Sequence, residues 1–587
     1  MRVKTAAALV LLGLIALVAG IGQLTFWAPP KTVTATLPAD AKAGPLTVLD
    51  TKLRDLRGGE ADVSIKGDGN FVLAVGRPDD VAAWVGKTAH TTIDGATPDG
   101  KQLNATYTDG DPTAPSPAGS DTFATTQSAS GSLDYHWDLP GDGDWQIVLA
   151  TDGTKPAPHD VTITWPSNET TPWAVPLVVV GAILLAGGVL LIVLRRRGPG
   201  AGTPADATGS YGGPDAHAGA APTADPHAGA EPAAGDGPAA HPDASQRAER
   251  RVVSRAASAA VAVVLALVGG GTAAQASTPP SPSGTASPSA SGSAPAATDK
   301  VLIDEQLQRI LDQVATAVSA GDQAKDPKQL EPRVAESALQ SRVSNYKIRA
   351  SVATLAAPTP VRSTRLLTSV VPTQRTWPRT VVAVTQGEGN SVPQILTLRQ
   401  DDARANYRLV EAAPLLPGST FPNALKAGAQ QVPLDFKEGL AYSPNDALRG
   451  LGDRLTSPDA WKDKIPDNAY TKDTLAYESD ITKATPNGDI KFAHNPTGSD
   501  AAAYRTADGG AVVVAPLEFT ITGTPKSQGD KLTVADDAAA LAGGKEAQNS
   551  MTLRFLESVV LYIPPTGAKQ PLTLVAATRN LVAASVS

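Results

Sequence analysis

Hydrophobic positions along the chain fall into three kinds of pattern. Continuous apolar runs occupy 5–27, 173–194 and 256–276, each near the roughly 20 residues a helix needs to cross a hydrocarbon layer of about 30 Å. Short pieces of period-two alternation, separated by Gly, Asp and Pro, fill 31–166, the pattern of half-buried strands joined by tight turns. Helical stripes followed by alternating segments recur through 300–587. Together these predict a membrane protein with three transmembrane helices, an all-β sandwich ectodomain and an α+β C-terminal ectodomain of two units.

Charges flanking the apolar runs set a topology. Arg2 and Lys4 precede the first, Arg195, Arg196 and Arg197 follow the second, and Arg247, Arg250, Arg251 and Arg255 precede the third. With every basic cluster inside, residues 1–4 and 195–255 are cytoplasmic, whereas 28–172 and 277–587 lie outside. Trp27, Trp165 and Trp173 then fall at the outer interface, where indoles prefer to lie. The first run is read as a retained anchor, because no small-residue cleavage site precedes Trp27, Ala28, Pro29 and Pro30. The third is richer in Ala and Gly and ends in Ala274, Gln275 and Ala276, an A-x-A string. It is either a weak span or a signal-like segment cut after Ala276.

Within 31–166, Leu133, Tyr135, Trp137 and Leu139 alternate with Asp134, His136 and Asp138; Val161, Ile163 and Trp165 alternate with threonines. Val63 with Ile65, and residues 71–75, read as two further strands, and 145–150 as another. One short helix, 78–86, turns Val81, Trp84 and Val85 inward. In the C-terminal region a helix over 302–320 carries Ile303, Leu307, Ile310, Leu311, Val314 and Val318 on one stripe. A second helix covers 333–350, and strands follow at 365–371, 380–385, 394–399 and 407–412. After a Pro-punctuated link the order repeats: helices over 444–455 and from 460 onward, then strands at 489–494, 511–522, 553–563 and 572–576. The repetition places units at 300–425 and 426–587. The segments 198–246 and 277–299 are dominated by small residues, Pro and Ser, the compositions of a disordered linker and an extended stalk.

Composition narrows the chemistry. Net charge is −8 and no basic patch lies outside the membrane flanks, which argues against a nucleic-acid partner. The chain has no cysteine, so thiolate chemistry and disulfides are excluded. Of seven histidines, His217, His227 and His241 are scattered in the linker, where a solvated chain is the simpler reading. Asp134, His136 and Asp138 share a strand face, but alternate strand residues stand about 6–7 Å apart, too wide for three ligands on one ion. Asp138, Asp142 and Asp144 lack calcium-loop spacing and suit a turn. His90 and His159 stand without a nucleophile pattern, and His494, alone in its region, reads as structural. No catalytic, cofactor-binding or metal residue is assigned.

Helix-then-sheet order over 301–587 resembles the cone fold of nuclear transport factor 2-like domains. Residues 506–514 (TADGGAVVV) with Tyr562, Ile563, Pro564 and Pro565, residues 71–75 with 80–84 (DVAAW), and Gly143, Asp144 and Trp145 with Asp152 and Gly153 are similar to strings in uncharacterised actinobacterial multi-pass membrane proteins with exported domains. That resemblance implies a cell-envelope protein and supplies no site residues. A glycosyltransferase-like label finds no physical support, since the D-x-D strings at 109–111 and 142–144 lie in exported turns, away from cytoplasmic nucleotide sugars.

Three functions follow from these patterns. The favoured one is a non-catalytic envelope protein whose exported domains bind a protein, a wall polysaccharide or a small ligand, with the lipid bilayer as its other partner. The second is an envelope glycan-acting enzyme using carboxylates among Asp134, Asp138, Asp142 and Glu518. The third is a tether or sensor recruiting a cytoplasmic partner through 195–255.

Overall fold

A computed structural model describes residues 2–152, 155–167, 169–196, 299–423, 425, 427–498 and 500–587. The third apolar run, the 195–255 linker beyond residue 196, the 277–299 stalk before residue 299, and the histidines His217, His227 and His241 lie outside the described residues.

Two helices, Arg2–Leu24 and Ala174–Arg196, are long and apolar enough to cross a membrane. They pack on one another along a seam of small residues at seven-residue spacing: Ala6, Gly13 and Gly20 on one, Ala174, Gly181 and Gly188 on the other. A methyl group on Gly13 would lie 2.6 Å from the Leu185 backbone nitrogen, and one on Gly181 2.7 Å from that of Leu17. Backbone meets backbone here because neither helix has a side chain in the way.

Residues 32–166 form one eight-stranded sheet. Its order runs Thr32–Thr36, Asp160–Pro166, Asp62–Gly76, Gln146–Ala150, Leu46–Leu49, His90–Ala96 and Leu103–Thr108, and Thr125–His136 pairs with the other edge of Asp62–Gly76. Thr36 also bridges to Gln102, bringing the two ends of the sheet together like a barrel. This corrects the expected sandwich of two separate sheets. The cause is Asp62–Gly76: the two strands expected at 63–65 and 71–75 are one, interrupted by a register shift between Lys66 and Asn70 where Gly69 has φ 143°. Its first half pairs with Asp160–Pro166 and its second with Gln146–Ala150, so a single strand serves both halves of the sheet. Trp137, Trp145, Trp165, Phe71 and Ile163 fill the interior. Leu139, expected to share their face, is exposed, because the strand ends at His136. On the outer face, the helix Pro78–Val85 lays Val81, Trp84 and Val85 on Leu46, Val48 and Val148.

The C-terminal region contains two helix-and-sheet arrays. In the first, helices Asp304–Ala324 and Glu336–Ser351 precede the meander Arg365–Val370, Arg379–Gln386, Gln394–Gln400 and Arg408–Pro414, and the expected helical stripe packs on Val381, Ala383, Leu396 and Leu398. In the second, helices Pro444–Thr456 and Ala469–Ala484 cover a sheet built on Ala511–Pro525, Met551–Ile563 and Thr573–Val586, with Gly488–Pro496 and Ala502–Arg505 along one edge of Ala511–Pro525. The second helix begins at 469 rather than 460 because Asn468 and Thr471 form a reciprocal capping box there. The two sheets meet through their other faces, Val382, Val384 and Ile395 against Val512, Val514 and Val560.

Candidate functional site

Two buried polar assemblies emerge, one between the barrel and the C-terminal region and one inside the second array.

The first is a charged seam. Asp80, on the helix Pro78–Val85, is 2% exposed and accepts a hydrogen bond from Arg379 at 2.6 Å, whose guanidinium also lies over the Trp377 ring. Asp121, fully buried, binds Arg333 through both carboxylate oxygens and accepts from the Tyr407 N–H at 2.8 Å. Arg309 donates to the carbonyls of Phe123 and Ala124, at 2.7 and 2.6 Å. Arg404 donates to the carbonyls of Trp84 and Val85, at 2.7 and 2.9 Å. Those two carbonyls end the helix and have no intrahelical partner, so a cation is favoured there. Ala403 and Trp377 join the apolar cluster of Trp84 and Phe123. Arg and Trp at the centre of a desolvated contact are the side chains that dominate protein–protein interfaces.

The second assembly is built around His494. Strand pairing sets His494 opposite Phe519 and Phe519 opposite Phe555; two residues along, Glu557 faces Arg579. Alternation therefore turns these side chains to one face of the sheet. The covering helix Ala469–Ala484 contributes Tyr470, Thr474 and Glu478 at four-residue spacing, all on its inner side. The imidazole stacks on Phe519 at 4.0 Å between ring centres. Its Nδ1 meets Glu557 at 2.8 Å and its Nε2 meets Glu478 at 3.0 Å; the Tyr470 hydroxyl donates to the other Glu557 oxygen at 2.5 Å. Ionised carboxylates only accept, so this arrangement holds both ring nitrogens protonated. Burial alone pushes the imidazole pKa down, but the hydrogen bonds it donates to Glu478 and Glu557 outweigh it and hold the value above 6.5. Arg579, over the Tyr477 and Phe519 rings, donates to Thr474 and stands opposite Glu557 in the strand pairing. Gly452 allows the first helix to close over the strand, since a methyl there would lie 2.3 Å from the His494 carbonyl oxygen. The set is a buried hydrogen-bonded chain, and the His494 side chain, 0% exposed, offers a substrate no surface.

The residues weighed from the sequence are scattered. Asp134 is exposed and accepts from Ser64 at 2.6 Å; His136 lies 2.7 Å from Asp62 and 3.7 Å from Asp138. Asp142 is an exposed turn residue whose carbonyl accepts from Arg77, and Asp144 is exposed. Glu518 sits on the sheet face opposite His494, paired with Arg554 at 3.2 Å. His90 holds the Thr88 carbonyl, and His159 lines an open cavity of about 1250 Å³ with Lys66, Asn70 and Lys155. No group of three or more metal-binding side chains occurs among the described residues. From the sequence His494 reads as a lone structural histidine, and its partners, 16 and 63 residues away, are brought to it only by the fold.

The fold and these assemblies define a β-rich protein with two apolar helices whose folded regions share a buried charged seam. Residues 298–586, just under half of the chain, match the family described as a domain of unknown function (DUF8094). No curated protein and no solved structure matches the chain.

Proposed function

We propose that this is a non-catalytic cell-envelope membrane protein whose barrel and C-terminal region form one exported module that binds a protein, a wall polymer or a small ligand. The observation that carries this reading is the seam: two aspartates, each at most 2% exposed, are neutralised by arginines from a region more than 200 residues away. Such a rigid double module suits presentation of a binding surface. The glycan-enzyme alternative draws no support from its carboxylates, since Asp134, Asp138 and Asp142 are exposed on the barrel and Glu518, in the C-terminal region, is paired with Arg554. Binding of the purified full-length protein to isolated wall polymer, saturable and without release of fragments, is the expected result. Turnover of that polymer, lost in Glu557→Gln, would sink the reading.

The seam also supports a three-span topology. The barrel and the C-terminal region must share one side of the bilayer, so a chain leaving through Ala174–Arg196 has to return before residue 299. The run at 256–276 is the apolar segment available for it, and the basic flanks place the shared side outside. The glycine seam supports retention of the first run as an anchor, since Gly181 meets Gly13 and Leu17 there, and Gly188 meets Ala6 and Val10. Because the chain lacks cysteine, single cysteines report topology without background. Ser64→Cys and Ser550→Cys are expected to react with an impermeant thiol reagent in intact cells, and Ser210→Cys only after permeabilisation. Labelling of Ser210→Cys in intact cells would overturn the scheme.

Each C-terminal array is read as a cone-like unit of the nuclear transport factor 2-like kind. The supporting observation is a pair of helices laid on one face of an antiparallel sheet, twice in succession. The likeness to actinobacterial envelope proteins stands on the same footing, as part of this proposal.

A further inference from the structure

We infer that the seam holds the C-terminal region on the barrel without any covalent connection, so that the protein persists as a two-piece assembly when the chain is cut between 276 and 298. This rests on the seam's geometry and is independent of what the module binds.

Contacts across the seam are of the kind that hold separate proteins together. Its centre is two buried Asp–Arg pairs, Asp80 with Arg379 and Asp121 with Arg333. Around them the C-terminal region satisfies backbone groups of the barrel that would otherwise be unpaired: Gln306 donates to the Asp121 carbonyl at 2.5 Å, and the Asp121 N–H donates to the Asn406 side chain at 3.0 Å. The traffic runs both ways, since Thr122 donates to the Ala403 carbonyl at 2.6 Å and accepts from Gln400 at 2.9 Å. Each region keeps its own apolar core, one with Trp137, Trp145 and Trp165 and the other with Leu307, Leu311 and Leu396. Neither core therefore depends on the connecting chain. The string Ala274, Gln275 and Ala276 is an A-x-A site of the kind that is cut after its last residue. A cut there would separate the C-terminal region from its own membrane segment, and the seam would keep it on the barrel. Whether 256–276 persists as a span or is cleaved, the module ends in the same place.

The test uses the full-length protein with an N-terminal affinity tag and a site-specific protease sequence replacing part of 280–295. After solubilisation and cutting, the C-terminal fragment is expected to stay on the tag column. Arg404→Ala removes the two bonds to the helix end and a third to the Thr88 hydroxyl without touching either core, and Asp80→Asn with Arg379→Gln removes the charges of the closest pair while keeping size. Truncating a buried charged contact is expected to raise the release rate about thirty-fold or more. Immediate release of the fragment from the otherwise native cut protein would overturn the inference. So would retention unchanged in both seam variants, which would locate the attachment elsewhere.

Discussion

Two seams join parts of this chain that are distant in sequence, and they do so by opposite means. Between the apolar helices the contact is made by removing side chains: Gly13, Gly20, Gly181 and Gly188 let backbones touch. Between the barrel and the C-terminal region it is made with the largest charged side chains available, Arg309, Arg333, Arg379 and Arg404. The proposed membrane location of the helices accounts for the difference. In a bilayer, lipid tails are as apolar as leucine, so helices gain from close packing rather than from burial. In water, closing the seam buries Trp84, Phe123 and Trp377, and aspartates taken out of water need cations with good geometry. Each seam is thus built from what its surroundings cannot supply.

The largest effect is expected at the charged seam. Asp121→Ala leaves Arg333 and the Tyr407 N–H buried without their acceptor and is expected to cost about 3–5 kcal/mol, read by denaturant unfolding. Replacing both members of the other pair, Asp80→Leu with Arg379→Met, is expected to cost less, since the closest charges go together and only Arg375, 3.9 Å from Asp80, loses a partner. A cost for Asp121→Ala within error of zero would remove the seam as a fastening. Added salt is expected to change the Asp80–Arg379 contribution little, because both side chains are only 2% exposed.

The glycine seam is expected to give the next largest effect. Gly13→Leu drives a side chain into the opposite backbone and is expected to cost about 1–3 kcal/mol, typical of overpacking, with a lower unfolding temperature in detergent. Gly187→Leu is the matched control, because nothing lies within 4 Å of the added carbon. Equal effects at the two positions would mean that glycine content, and not contact, matters.

Local periodicity carried most of what was legible in the sequence. The stripe of Leu307, Ile310, Leu311, Val314 and Val318, the helix with Val81 and Trp84, and the alternation of Val161, Ile163 and Trp165 are all buried as read, because neighbours a few residues apart set them. Errors came where one local irregularity hid continuity. The glycines at 67 and 69 split one strand into two and turned a continuous sheet into an expected sandwich. The last strand, expected at 572–576, runs on to Val586 through an Ala-rich stretch whose alternation is faint. Neither polar assembly was legible. Asp80 and Arg379 are 299 residues apart, and nothing local distinguishes Glu478 or Glu557 from a surface glutamate until the fold brings both to His494.

That cluster supplies the mildest and most selective test of the comparison. The seams fasten elements through glycine contacts and carboxylate–guanidinium pairs, whereas this cluster is centred on the His494 imidazole. Its pKa is held above 6.5 in the folded protein and returns to about 6.5 on unfolding. The folded state therefore binds the extra proton more tightly. The resulting stabilisation is fully present below pH 6.5 and is lost as pH rises through the folded value, when the two glutamates lose the charge between them. Wild-type stability is accordingly expected to fall as pH rises from 6.5 to the folded value and to level off beyond it. Glu478→Gln with Glu557→Gln removes the charges that raise the pKa, so the difference between wild type and variant is expected to shrink across the same range. A wild-type stability that climbs with pH there, or an identical slope in the variant, would show that the imidazole is neutral in the fold. The cluster would then be a neutral hydrogen-bonded plug in the core, and the charged seam would be the place where this fold commits buried charge.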